Sequence, residues 1–280
     1  MGWALRRWLP ARLRAQIPVR PAPPPAWPQT RHARRVLTLG GCVQGAVAPG
    51  YDVALARILD RFGVALVQVG GTGCCGAISQ HLGAPAEAAQ AMRRNIDAWW
   101  PLIEAGAEAI VLSSSGCGSM VEDYAHLLKD DPDYAAKARR VSALLRDPVE
   151  LVGALWGCAD LALAPLADEQ QTLAFHPPCS LQHGMRLKGR VELLLQRAGY
   201  RLAPVKDGHL CCGSAGTYSI LQPALADELG QRKLAKLMAG QPQAIASANV
   251  GCILHLQKNS PVPVRHWLEL LAERLPQEPA

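Results

Sequence analysis

Acidic residues are missing from the first 35 positions of this 280-residue chain, although eight of its 29 Lys and Arg residues lie there. The remainder holds 21 basic against 23 acidic residues, close to neutral. A nucleic-acid binder carries its basic excess on the folded body, so this distribution argues against that class. Phe occurs only twice and Tyr five times, which leaves seven Trp as most of the aromatic surface. No Ser-His-Asp set and no pair of carboxylates can be tied together along the chain, so no hydrolytic centre is visible. No flavin or nicotinamide site is evident either, so a purely electron-carrying role needs a partner that oxidises the substrate.

The opening MGWALRRWLPARLRAQIP is too interrupted and too charged to span a bilayer, and it lacks the apolar run of a secretion signal. An interfacial helix shares its composition; the plainer reading is a basic arm. PVRPAPPPAWPQ follows as an extended spacer ending near Thr30, since its prolines fix φ and remove donors. Residues 1–34 are thus expected to form a basic, proline-rich arm on a cytoplasmic protein. Peripheral association with the inner face of a membrane is the alternative that the arm suggests.

Nine cysteines without a secretory signal read as thiols or metal ligands rather than as a disulfide framework. Their spacing is the strongest signal in the sequence. Cys42, Cys74 and Cys75 recur 137 residues later as Cys179, Cys211 and Cys212, and Cys117 recurs as Cys252 at an offset of 135. Both copies contain Cys-Cys-Gly, ending at Gly76 and Gly213. The surroundings repeat too. Short β-branched runs at 35–40, 64–70 and 108–114 answer to 171–175, 200–205 and 243–249. Helical patterns at 52–61 and 86–104 answer to 187–198 and 223–238, and a last helix is expected near Met120 and Ile253. The expected fold class is α/β, with two duplicated units, each a small, mostly parallel sheet flanked by helices. The first unit is assigned to residues 35–165, including a mainly helical linker, and the second to residues 166–280. Ligand sites in such sheets lie beyond the carboxyl ends of the strands, where all eight repeated cysteines fall.

Three chemistries compete for these thiols. Adjacent cysteines close a strained ring, which disfavours a reversible disulfide at Cys74–Cys75 or Cys211–Cys212. Structural zinc needs four soft ligands, and each half has four, yet zinc knuckles pair their ligands across two to four residues. Iron-sulfur clusters accept an adjacent pair plus two remote cysteines and are the preferred reading, with zinc in one half left open. Gly71 to Gly76 match a dinucleotide fingerprint, but the second copy loses the middle glycine and keeps both cysteines, so the thiols carry the pattern. Cys158 has no counterpart and reads as a buried small hydrophobe. His176 and His183 flank Cys179, while Ser114 and Asn249 each stand three residues before a final cysteine. All four are candidates to support a cluster, and equally to pack or cap a loop.

Seven separated segments carry a family resemblance: Gly40–Gln44, Gly73–Ala77, Asn95–Trp100, Ser115–Gly118, His176–His183, Cys211–Gly216 and Asn249–Cys252. In these the chain resembles the carboxy-terminal cysteine-rich (CCG) domains of glycolate oxidase iron-sulfur subunits, which are related to the cysteine-rich subunits of heterodisulfide reductases. The resemblance implies one or two clusters of the 4Fe-4S type, held by Cys42, Cys74, Cys75 and Cys117 and by Cys179, Cys211, Cys212 and Cys252. It also implies a flavin-containing dehydrogenase subunit as partner, oxidising glycolate or another 2-hydroxy acid and passing electrons onward. The amino-terminal ferredoxin-like motifs of that family do not occur in this sequence, which leaves a fragment, a truncated gene product, or a ferredoxin-like protein or domain carried on a separate chain. Ser114 and Asn249 replace the first cysteine of the family's closing Cys-x-x-Cys. Two alternatives stand beside this reading: a catalytic cluster subunit of the heterodisulfide reductase or lactate-utilisation type, and a zinc-stabilised scaffold without redox activity.

Overall fold

The computed structural model describes residues 21–166 and 171–276. The amphipathic opening therefore lies outside the described residues. Residues 21–32 run without regular structure, and Trp27 packs on the core, as the proline content requires.

Two four-stranded sheets, all parallel, carry the two halves. In the first, β1 (Arg34–Thr38), β2 (Val64–Gln68), β3 (Ala109–Val111) and β4 (Leu145–Arg146) lie in the order β2-β1-β3-β4. In the second, β5 (Thr172–His176), β6 (Arg201–Leu202), β7 (Ala244–Ser247) and β8 (Val264–His266) repeat that order as β6-β5-β7-β8. Three strands per half follow from the apolar runs. The fourth does not, because β4 and β8 are two and three residues long and carry no period of their own. The helices Gly50–Asp60, Pro85–Glu104, Arg190–Arg197 and Pro223–Met238 stand where the apolar spacing puts them. The linking region, residues 134–155, is mainly helical as expected, with the helices Ala135–Leu144 and Pro148–Cys158, and it also supplies the short β4 between them.

The halves exchange their last helices. Trp267–Ala272, which follows β8, packs chiefly on Gly50–Asp60 of the first half. Pro148–Cys158, which follows β4, packs on Arg190–Arg197, the equivalent helix of the second half. Their buried side chains form one apolar cluster that includes Leu55, Ile58, Val152, Trp156, Leu194, Trp267, Leu268 and Leu271. Neither half covers its own sheet without the other.

His266 locks this exchange. Its fully buried ring donates from Nε2 to the Ser113 carbonyl at 2.8 Å, while Nδ1 accepts from the Leu268 amide at 3.2 Å and caps the last helix. The Nδ1 acceptor bond needs the neutral ring, and burial depresses its pKa to about 4. A histidine lowered from an unfolded value near 6.5 contributes stability above that pH and loses it as pH falls toward 4. Asp147, buried and raised to about 7, acts in the opposite sense, so the test is a difference between variants. His266→Gln is expected to remove a pH-dependent contribution of up to about 3 kcal/mol between pH 7 and 4, read from urea unfolding of variant and parent at each pH.

Candidate metal centres

The eight paired cysteines gather at the carboxyl edges of the sheets as two sets of four. Cys42 directly precedes the short helix Val43–Val47 after β1. Cys74 and Cys75 occupy the loop after β2, and Cys117 lies in the first turn of Ser115–Glu122 after β3. Cys179, Cys211, Cys212 and Cys252 take the same places in the second half, with Cys252 in the first turn of Val250–Gln257. These two helices begin at Ser115 and Val250, several residues before the positions expected, so the last cysteine of each set is helical.

Each set is a chain of thiol contacts. Cys42 hydrogen-bonds to Cys74, Cys74 to Cys75, and Cys75 to Cys117. In the second set Cys179 bonds to Cys211, Cys211 to Cys212, and Cys212 to Cys252. The contacts from Cys42 and Cys75 hold the Cys74 thiol well below its usual range, while Cys42 is raised by its bond to Cys74 and Cys75 by its bond to Cys117. Cys211 is lowered in the same way by Cys179 and Cys212, and Cys252 by Cys212. A thiolate held among thiols is the protonation state that a metal requires.

The loops are shaped for this. Gly76 and Gly213 sit at φ +93° and +92°, and their amides donate to Cys74 Sγ at 3.4 Å and to Cys211 Sγ at 3.3 Å. A Cβ on Gly213 would stand 2.3 Å from the Ala226 carbonyl oxygen, and on Gly76 it would stand 3.2 Å from that of Ala88. Each Cys-Cys-Gly loop is thus pressed against the long helix that follows it. In the first half Asn95, fully buried, accepts from the Gly73 amide at 3.0 Å and donates to the Cys74 carbonyl at 2.9 Å. The Tyr124 hydroxyl donates to the Cys75 carbonyl at 2.7 Å. In the second half Lys233, on the equivalent helix, donates to the Gly208 carbonyl at 2.8 Å, and its charge faces all four thiols. The cysteine pattern alone assigns no role to Asn95, Tyr124 or Lys233.

Ser114 and Asn249, equivalent by the duplication, meet each other. Ser114 Oγ donates to Asn249 Oδ1 at 2.7 Å, and Asn249 Nδ2 donates to Cys252 Sγ at 3.5 Å. The pair ties the halves together beside the thiols. His176 is fully buried against the second set, where its ring nitrogen and the sulfurs of Cys212 and Cys252 lie within 4.8 Å of one another. His183 does not join them: its exposed ring contacts the His209 carbonyl through Nε2 at 3.3 Å. Cys158 corrects the reading of a buried hydrophobe, being exposed at the end of Pro148–Cys158. It neighbours Arg34 at the start of β1, the strand end opposite to that leading to Cys42.

A family model described as a cysteine-rich domain, CCG, matches residues 36–122 and again residues 173–257. The chain is 45% identical over 279 residues to the glycolate oxidase iron-sulfur subunit of Escherichia coli, across 99% of this chain and 67% of that one. It is 28% identical to a probable glycolate oxidase iron-sulfur subunit of Bacillus subtilis, across 80% of this chain and 49% of that relative. Lactate utilization protein A of Bacillus licheniformis matches at 26%, across 79% of this chain and 92% of its own. The two matched segments enclose both sets of four thiols and leave out Cys158. The chain therefore belongs to the cysteine-rich CCG-domain family and is a relative of the glycolate oxidase iron-sulfur subunits.

Proposed function

We propose that the chain is an electron-transfer subunit of a 2-hydroxy-acid-oxidising complex, with glycolate as the substrate class. On this reading each half holds an iron-sulfur cluster, through Cys42, Cys74, Cys75 and Cys117 and through Cys179, Cys211, Cys212 and Cys252. Residues 35–165 and 166–280 are then the two cluster-bearing units, and a flavin-containing subunit supplies the electrons. The observation that carries the proposal is the convergence of two equivalent sets of four thiols at two equivalent sheet edges. The 45% identity to an iron-sulfur subunit supports it.

The arrangement of sulfurs favours a cluster over one tetrahedral ion. Zinc bound by four thiolates at about 2.3 Å places every sulfur about 3.8 Å from the other three. Among the described residues, the trio of ligand atoms mutually within 4.8 Å is His176, Cys212 and Cys252, so the sulfurs of each half follow an arc rather than a closed cup. An arc with an adjacent pair at its centre suits a polynuclear group. Such a cluster supplies one-electron redox chemistry when bound. The protein's part is to set its potential: the Gly76 and Gly213 amides and the Asn249 side chain point at ligand sulfurs and favour the reduced state. Ile78, Leu82, Leu210, Ile220 and Leu221 stand exposed close in sequence to the Cys-Cys-Gly loops, an apolar margin that suits an electron-transfer partner. No described helix is long and apolar enough to cross a membrane.

Anaerobically purified protein is expected to contain iron and acid-labile sulfide and to give a paramagnetic signal on reduction. Cys74→Ser and Cys211→Ser should each remove roughly half of the iron, and the double variant nearly all of it, with far-ultraviolet circular dichroism largely kept. Unchanged iron in the double variant would refute the ligand assignment, and zinc without sulfide would favour the scaffold reading.

The crowding at Gly213 yields a second expectation. Gly213→Ala must move the loop off the Ala226 carbonyl and should deplete the second-half cluster while sparing the first. The looser contact at Gly76 predicts a milder loss in Gly76→Ala. Equal iron retention in both variants would show that loop closure against the helix does not govern binding.

A further inference from the structure

The two centres are not chemically alike. The offset that relates Cys42 to Cys179 relates Leu39 to His176. Leu39 is buried in an apolar cluster with Val69, Cys75 and Leu112, as expected behind a site that needs no further donor. At the equivalent place His176 has no exposed surface, its ring nitrogens have no nitrogen or oxygen partner, and its polar contact is with the Cys252 sulfur. A thiol is a weak partner for a buried ring nitrogen, and a poorly satisfied buried polar group is costly. The main chain does not relieve that cost; it fixes it. Ser247 Oγ, replacing Leu112 of the first half, donates to the His176 carbonyl at 2.9 Å and anchors the residue at the end of β5. From there a ring nitrogen shares one 4.8 Å neighbourhood with Cys212 and Cys252 Sγ.

We propose that His176 is a fifth ligand of the second-half centre, so that one half presents four thiolates and the other presents four thiolates and an imidazole. The proposal rests on the metal-binding reading above and deepens it. A bond to metal satisfies a buried ring nitrogen whose protein neighbours are the sulfurs of Cys212 and Cys252. It also resolves a difference of charge, since neutral imidazole adds a donor without adding to the negative charge of the thiolates. A cation stands near each set, Lys233 near the second and Arg94 beside Cys74 in the first, so the imidazole is what sets the two apart. Ligand identity tunes the potential of an iron-sulfur centre, and the two centres are therefore unequal in potential.

X-ray absorption at the edge of whichever metal is found tests this directly. Cys74→Ser protein, purified anaerobically, isolates the second-half centre, and Cys211→Ser isolates the first. Outer-shell scattering from one imidazole is expected in Cys74→Ser and not in Cys211→Ser. It should vanish in Cys74→Ser/His176→Leu, a change that copies the buried Leu39. A reductive titration of the single-cysteine variants should give two different potentials. Metal in Cys74→Ser without imidazole scattering would overturn the proposal and leave the two-centre reading standing. Metal in Cys211→Ser but none in Cys74→Ser would also overturn it, by removing the second centre. Wild-type protein without bound metal would defeat the underlying reading as well. The key measurement is made on protein that retains His176, so a folding defect in the double variant does not decide the question.

Discussion

Close packing of each Cys-Cys-Gly loop onto the helix behind it is the constraint from which the rest of the site follows. The glycine turns the backbone through a left-handed conformation with no room for a side chain, most severely at Gly213. That turn aims two adjacent sulfurs at the sheet edge and points the following amide back at the first of them. The remote cysteines need less special geometry. One directly precedes the short segment after the first strand, and the other sits in the first turn of a helix, where parallel topology delivers them to the same edge. Two hydrogen-bonding solutions hold the loop: Asn95 and Tyr124 in one half, Lys233 in the other.

Duplication preserved this frame and let its surroundings diverge. Leu39, Leu112 and Asn95 correspond to His176, Ser247 and Lys233, so apolar and neutral groups around the first set give way to basic and polar ones around the second, although Arg94 also stands beside Cys74. The thiols themselves did not change. Ser114 and Asn249 stand at the junction, where equivalent positions became chemically different and bonded to each other. Only Asn249 also reaches a sulfur of its own half.

Much of this was legible in the residues. The repeat of Cys42, Cys74, Cys75 and Cys117 sufficed to bring out two sets of four thiols at equivalent sheet edges, because strand runs and glycine-ended helices recur around them in the same order. What escaped has physical causes. The edge strands β4 and β8 are too short to show alternation, and their identity comes from pairing with β3 and β7. The exchanged helices could not be read at all, since an amphipathic pattern states that a face is buried without saying against which partner. Asn95 did leave a trace, being a polar residue between Met92, Ile96 and Trp99 on a buried face. His176 was a candidate to support a cluster because it stands close to Cys179 in sequence. That its buried ring faces the sulfurs of Cys212 and Cys252, with no nitrogen or oxygen partner, exists only in three dimensions.

The exchange of terminal helices bears on how such a chain could arise. A single ancestral unit would have left its first crossover helix bare and its final helix without a seat. Two identical copies would have satisfied both needs at once across a self-complementary, two-fold surface. Tandem fusion then required little more than a tether between existing neighbours. Once joined, the copies were free to differ in chemistry while each remained obliged to complete the other's fold.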